Sequence, residues 1–225
     1  MTIKSKMVSL CTVSLLTLAL AVNSFAAAIP FTDLENVSAK EKISALQEKG
    51  YINGIAEGVF APNKIITAAE GIAFLVKALD LNLDTVRFIK EPKATDYYSK
   101  ANNDAWYAGY LITGAVNGLE FPKDIKLGQE LTREEFTYYL IQAIEKKGNL
   151  PMINIVPAVI TDQDQMTIEF SGAIQRALVY GFTQLNEEGK FNPKAKISRA
   201  EAAEQVYNAL QYINAHPAPT APQID

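Results

Sequence analysis

Two arginines in this sequence stand where a side chain can meet an anion. Arg133 follows Leu131-Thr132 and Arg199 follows Ile197-Ser198, and a glutamate comes two residues after each arginine, at Glu135 and Glu201. Ser/Thr-x-x-Glu is a capping box, which opens a helix. Each arginine therefore belongs to a first helical turn, where unpaired amides and partial positive charge favour an anionic group. A guanidinium there adds a two-pronged partner for a carboxylate. The same pattern also describes an exposed arginine at an ordinary helix start.

Other chemistries have little to stand on. The one histidine, His216, falls in a Pro/Ala-rich tail, so neither a Ser-His-Asp triad nor a histidine metal site is expected in the folded body. The one cysteine, Cys11, lies in a leader. There Lys4 and Lys6 precede a nearly uncharged run from Met7 to Ala21, and small-x-small cleavage patterns follow at Ser24-Phe25-Ala26 and Ala26-Ala27-Ala28. Residues 1–28 read as a secretory signal peptide cleaved after Ala26 or Ala28, with an apolar run too short for a comfortable membrane span. Without the leader the chain keeps 19 Lys and Arg against 25 Asp and Glu, a net charge of about −6, which argues against a general nucleic-acid binder. Acidic residues are plentiful enough for a two-carboxylate glycosidase. The best-placed ones are already explained by helix capping, so the expectation is a protein with no catalytic site and no cofactor.

The elements that position the arginines recur. Ile66-Thr67-Ala68-Ala69-Glu70, Leu131-Thr132-Arg133-Glu134-Glu135 and Ile197-Ser198-Arg199-Ala200-Glu201 place their hydroxyl residues 65 and 66 residues apart. The helices that follow agree in columns: Leu75, Leu140 and Val206, then Ala78, Ala143 and Ala209, one apolar stripe on each. Upstream, Ile43, Leu111 and Ile174 each precede a glycine by seven residues, at Gly50, Gly118 and Gly181. These glycines end first helices over 39–49, 106–117 and 170–180, at positions that need positive φ. The loop from the glycine to the capping residue spans 17 residues in repeats 1 and 3 and 14 in repeat 2. One such helix pair cannot bury its apolar stripe, so three pairs must share a core, most simply about a pseudo-threefold axis. The repeats occupy 29–80, 94–147 and 158–213, and the tail over 214–225 is expected to be disordered.

Phe31-Thr32-Asp33-Leu34, then Ile43, Leu46, Gly50, Gly54, Gly58, Phe60, Pro62 and Ile66-Thr67-x-x-Glu70 resembles the S-layer homology (SLH) domain. The segments from Ala94-Thr95-Asp96 to Glu135 and from Ile160-Thr161-Asp162 to Glu201 look like second and third copies. The resemblance implies an all-α, three-pronged module that holds exported proteins to Gram-positive secondary cell-wall polysaccharide, commonly through pyruvylated sugars. It implies binding grooves between neighbouring repeats, with the arginine of the family's Ile-Thr-Arg-Ala-Glu motif on the anionic sugar. Carried onto this sequence, that role falls to Arg133 and Arg199. Trp106 stands in a column where the family often has an aromatic, either to stack on a sugar face or as a half-buried core residue. Asp33, Asp96 and Asp162, a signature position, either cap the first helices or hydrogen-bond a sugar hydroxyl. Ala68 in place of an arginine, Ser38 and Glu169 in the Trp106 column, and the short repeat-2 loop depart from the family pattern. They leave open a degenerate module serving protein–protein contact or self-assembly at the surface. No further domain is read, so the chain either coats the wall itself or associates with another surface protein.

Overall fold

The computed structural model describes residues 29–147, 150 and 156–217; the expected signal peptide lies outside them. Six helices carry the fold: α1 (Lys40–Glu48) and α2 (Ala68–Ala78) in repeat 1, α3 (Ala108–Val116) and α4 (Arg133–Lys147) in repeat 2, and α5 (Ile168–Val179) and α6 (Arg199–Ala215) in repeat 3. The all-α class is as expected. The three capping boxes form as their sequences dictate. The amides of Thr67, Thr132 and Ser198 donate to Glu70, Glu135 and Glu201 at 2.7–3.0 Å, and the return bonds to the hydroxyls measure 3.2–3.3 Å. Gly50, Gly118 and Gly181 take φ of 71°, 83° and 73°. The residue after each glycine donates back to the carbonyl of Leu46, Gly114 or Ala177, closing the helix in a Schellman turn.

Helices α1 and α3 lie within their expected bounds, and only α5 begins outside them. Trp106 precedes α3, which begins at Ala108, while α5 starts early, at Ile168. The tail expectation also fails at its near end. Helix α6 continues to Ala215, and His216 stacks on Tyr212 at 4.2 Å, because Tyr212 packs on Phe182 and Tyr180 and carries the last turn with it. Residues 218–225 lie outside the described set.

Each first helix packs mainly on a second helix from another repeat: α1 on α6, α3 on α2 and α5 on α4. These three prongs meet where α2, α4 and α6 touch one another. Their starts are joined by a closed ring of backbone hydrogen bonds. Ile66 N–H donates to Ile197 C=O (3.1 Å), Ile197 N–H to Leu131 C=O (3.1 Å), and Leu131 N–H to Ile66 C=O (3.0 Å). The three side chains are buried at the centre. The aliphatic residue before each capping box therefore lies at the axis of the molecule, and the expected pseudo-threefold arrangement is held there by one backbone hydrogen bond per repeat.

Candidate functional site

The loops that approach this ring decide what the helix starts can do. The first two amides of α2 donate to Gln129 and Leu127 carbonyls, those of α4 to Ala195 and Pro193, and those of α6 to Lys64 and Pro62, at 2.8–3.1 Å. Each third amide is taken by its capping hydroxyl. The expectation of free helix-terminal amides for an anion is thus corrected. The loop of another repeat satisfies them, since buried backbone donors must find partners. Any anion site has to be made by side chains.

Arg199 reaches from α6 into the loop of repeat 1. Its Nε donates to Phe60 C=O at 2.8 Å and an Nη to Asn53 C=O at 2.9 Å, while the guanidinium lies 4.6 Å over the Phe60 ring. Burial pushes its pKa below the usual arginine value, opposed by the charges of Glu70 and Asp33. Beside it opens a groove of about 520 Å³ between the repeat-1 loop, α2 and α3, lined among others by Tyr51, Phe74, Lys77, Trp106 and Tyr110. Trp106 is 62% exposed and meets Tyr107 and Tyr110 edge-on at 5.6 and 6.3 Å. Its place on the turn before α3 frees the indole from the core, so the half-buried reading does not describe it.

A second groove, of about 250 Å³, repeats this plan 131 residues on. Phe182 stands for Tyr51, Glu201 for Glu70, Gln205 for Phe74 and Asn208 for Lys77, with Arg133 of α4 taking the part of Arg199. The lining is more polar, and its arginine is held by a carboxylate rather than by loop carbonyls. Arg133 pairs with Glu201 at 3.2 Å and lies 5.4 Å over Phe191. The column that holds Trp106 in repeat 2 holds Ser38 in repeat 1, which lines a separate hollow beside Asp33 and Glu201.

The third equivalent is filled. The short repeat-2 loop brings Phe121 against Tyr139 at 4.4 Å and within 6.4 Å of Tyr98, and all three rings are buried. Burial pushes the Tyr98 hydroxyl up to about 12 and that of Tyr139 higher still. Ala68, in the arginine column, has no exposed surface.

The aspartates act on loops. Both oxygens of Asp33 accept amides, from Phe60 at 2.9 Å and Ala61 at 2.7 Å, and those of Asp162 accept Phe191 and Asn192, each at 2.8 Å. The N-caps of α1 and α5 are Ala39 and Thr167, neither with a side-chain cap, so the helix-capping role expected for Asp33 and Asp162 is corrected. The loop tip needs an acceptor more, because Ala61 and Asn192 hold positive φ, 58° and 56°. Asp96, lacking such a loop, accepts the Lys93 amide at the start of its own 3₁₀ turn, Ala94–Asp96.

Two participants escaped the sequence reading. Glu134 is buried and accepts Thr167 N–H at 3.0 Å, Thr167 Oγ1 at 2.8 Å and the Lys194 ammonium, tying α4 to the start of α5. Its signal was the column in which repeats 1 and 3 have Ala69 and Ala200. The other is Lys77, in the last turn of α2, which lines the first groove. Among the described residues no cluster of His, Cys, Asp and Glu is placed to hold a metal ion, and no helix is long and apolar enough to cross a membrane.

Comparison with known proteins places these features. The family model for the S-layer homology domain matches residues 30–70 and 159–203. Those are repeats 1 and 3, which give the first groove its loop and Arg199, while Trp106 and Tyr110 come from repeat 2, outside the match. A 125 kDa surface-layer protein of Lysinibacillus sphaericus is 26% identical over 88% of this chain and 16% of its own length. An amylopullulanase of Thermoanaerobacterium thermosulfurigenes is 27% identical over 80% of this chain and 9% of its own. An exoglucanase of Acetivibrio thermocellus is 26% identical over 83% and 17%. The chain thus spans less than a fifth of the length of each of these relatives.

Proposed function

We propose that this chain, a member of the S-layer homology domain family, binds Gram-positive secondary cell-wall polysaccharide without a covalent link, as a wall-anchoring or surface-layer-associated module. The observation that carries the reading is the first groove, in which an exposed indole and an arginine face the same open space. Trp106 supplies the plane on which a sugar ring stacks. Arg199 and Arg133 give each groove a guanidinium for an acidic, pyruvylated sugar. Asp33 and Asp162 serve the glycan by holding the loops that carry Asn53 and Phe191, and Asp96 by fixing the entry to repeat 2. Family membership and relatives that include a surface-layer protein support a place at the cell surface. The family is a binding module, so the carbohydrate-cleaving activities in the relatives' names are not transferred to this chain.

The test is sedimentation of the protein with Gram-positive sacculi, native and chemically stripped of secondary polysaccharide. Binding lost on stripping supports the reading. Equal binding to both points to peptidoglycan. No binding to either contradicts it and favours a surface module that contacts other proteins.

A further inference from the structure

Three cations line the first groove, and two are already committed. Lys64 pairs with Glu70, whose other oxygen takes the Thr67 amide. Arg199 spends two nitrogens on the carbonyls of Phe60 and Asn53. Lys77, from the last turn of α2, has no hydrogen-bond or ion-pair partner among the described residues, although it is half-buried. Asp80 and Glu91 border the neighbouring hollow that Lys77 also lines, and neither reaches ion-pair distance. Its side chain lines the open groove as the one cation there that no group of the described residues engages, and partial burial holds its pKa below the usual lysine value. A ligand that brings a negative charge into the groove finds this ammonium unengaged.

The charge is private to this groove. In the same helical column the second groove has Asn208 and the filled third has Gln142. Asn208 Nδ2 donates to Phe182 C=O at 3.2 Å, and Gln142 Oε1 accepts the Glu120 amide at 2.6 Å. Where the column closes a loop it is an amide side chain, and where it faces open space with an indole opposite it is a free cation.

We infer that Lys77 is the residue by which the first groove selects an acidic over a neutral sugar, with Arg199 acting chiefly to hold the loop that forms the wall. This rests on the glycan-binding reading above. It divides the labour between the two cations differently from an arginine that meets the anion alone. A lysine near a helix C-terminus also interacts favourably with the helix dipole, so the test needs a readout that this role does not move.

That readout is charge discrimination. The probe is secondary polysaccharide released from Gram-positive sacculi, either native or with its carboxylates chemically reduced to alcohols. The parent protein is expected to bind the native form about tenfold more tightly, roughly the worth of one charge-assisted contact. Lys77→Gln should bind the two forms alike, at the weaker level, while Lys77→Arg keeps the preference. If Lys77→Gln still prefers the native form as the parent does, or if the parent binds both forms equally, the inference is overturned and the glycan reading stands. If the parent binds neither form, the glycan reading itself fails and this assignment with it.

Discussion

The guanidinium of Arg199 sits 4.6 Å above the ring of Phe60 while its Nε donates to the carbonyl of that same residue, so one side chain grips Phe60 twice across 139 positions of sequence. The contact joins the last repeat to the first. Arg199→Ala is therefore expected to lower stability by about 1–3 kcal/mol, the loss of a charged hydrogen bond with a stacked cation, in addition to weakening glycan binding. Thermal melting followed by circular dichroism checks this. An unchanged melting temperature would mean that the arginine is not part of the frame.

Acid should loosen the same corner. Burial opposes ionisation of Asp33, but the amides of Phe60 and Ala61, with help from the Arg199 charge, outweigh it and hold the carboxyl below its ordinary value. Glu70 is likewise depressed: burial opposes ionisation, and the bonds from Lys64 and Thr67 prevail. A carboxyl whose pKa is lower folded than unfolded adds stability above its unfolded value and loses it as pH falls through the folded one. Melting temperature should therefore stay level from neutral pH to about 5 and fall below about 4. Asp33→Asn should melt lower at neutral pH and show a smaller acid decrement.

Restoring the family arginine in repeat 1 should not create a third site. Ala68 is fully buried, and Phe121 and Tyr139 occupy the space that a sugar would need. Ala68→Arg is expected to cost about 1–3 kcal/mol by overpacking and to leave wall binding no tighter. A stable variant with improved sedimentation on sacculi would refute this account of repeat 2.

At the loop tip, repeat 3 uses Asn192 where repeat 1 uses Ala61, at nearly the same positive φ. Asparagine tolerates that conformation better than alanine. Ala61→Asn is expected to raise stability by about 0.5–1 kcal/mol, read as a higher midpoint in urea with an unchanged slope.

Much of this architecture was legible in the sequence, because its signals are local. A hydroxyl and a glutamate three apart specify a cap, and a glycine after an apolar stripe specifies a stop, so Thr67, Glu70 and Gly50 could be read without a partner in view. What lay between repeats could not be read this way. The backbones of Ile66, Leu131 and Ile197 close a ring across the three repeats, and the loops beside it supply the carbonyls that take the helix-terminal amides. Neither capping of the first helix nor a sugar hydroxyl, the two roles open to Asp33 in the sequence, pointed to its partners, which lie 27 and 28 residues on. The filling of the third groove was foreshadowed by the short loop and Ala68, but not the burial of Phe121, Tyr139 and Tyr98 together. Lys77 gives no sequence signal beyond its column, where the other repeats carry amides.

Trp106 is the only tryptophan of the chain and stands at the mouth of the first groove, so its fluorescence reports that groove alone. Titration with released secondary polysaccharide should give a saturable change in intensity with a shift to shorter wavelength. Arg199→Ala and Lys77→Gln should weaken it by about tenfold, roughly 1.4 kcal/mol. Binding to sacculi that leaves the indole emission unchanged throughout would contradict the assignment of this groove as the glycan site.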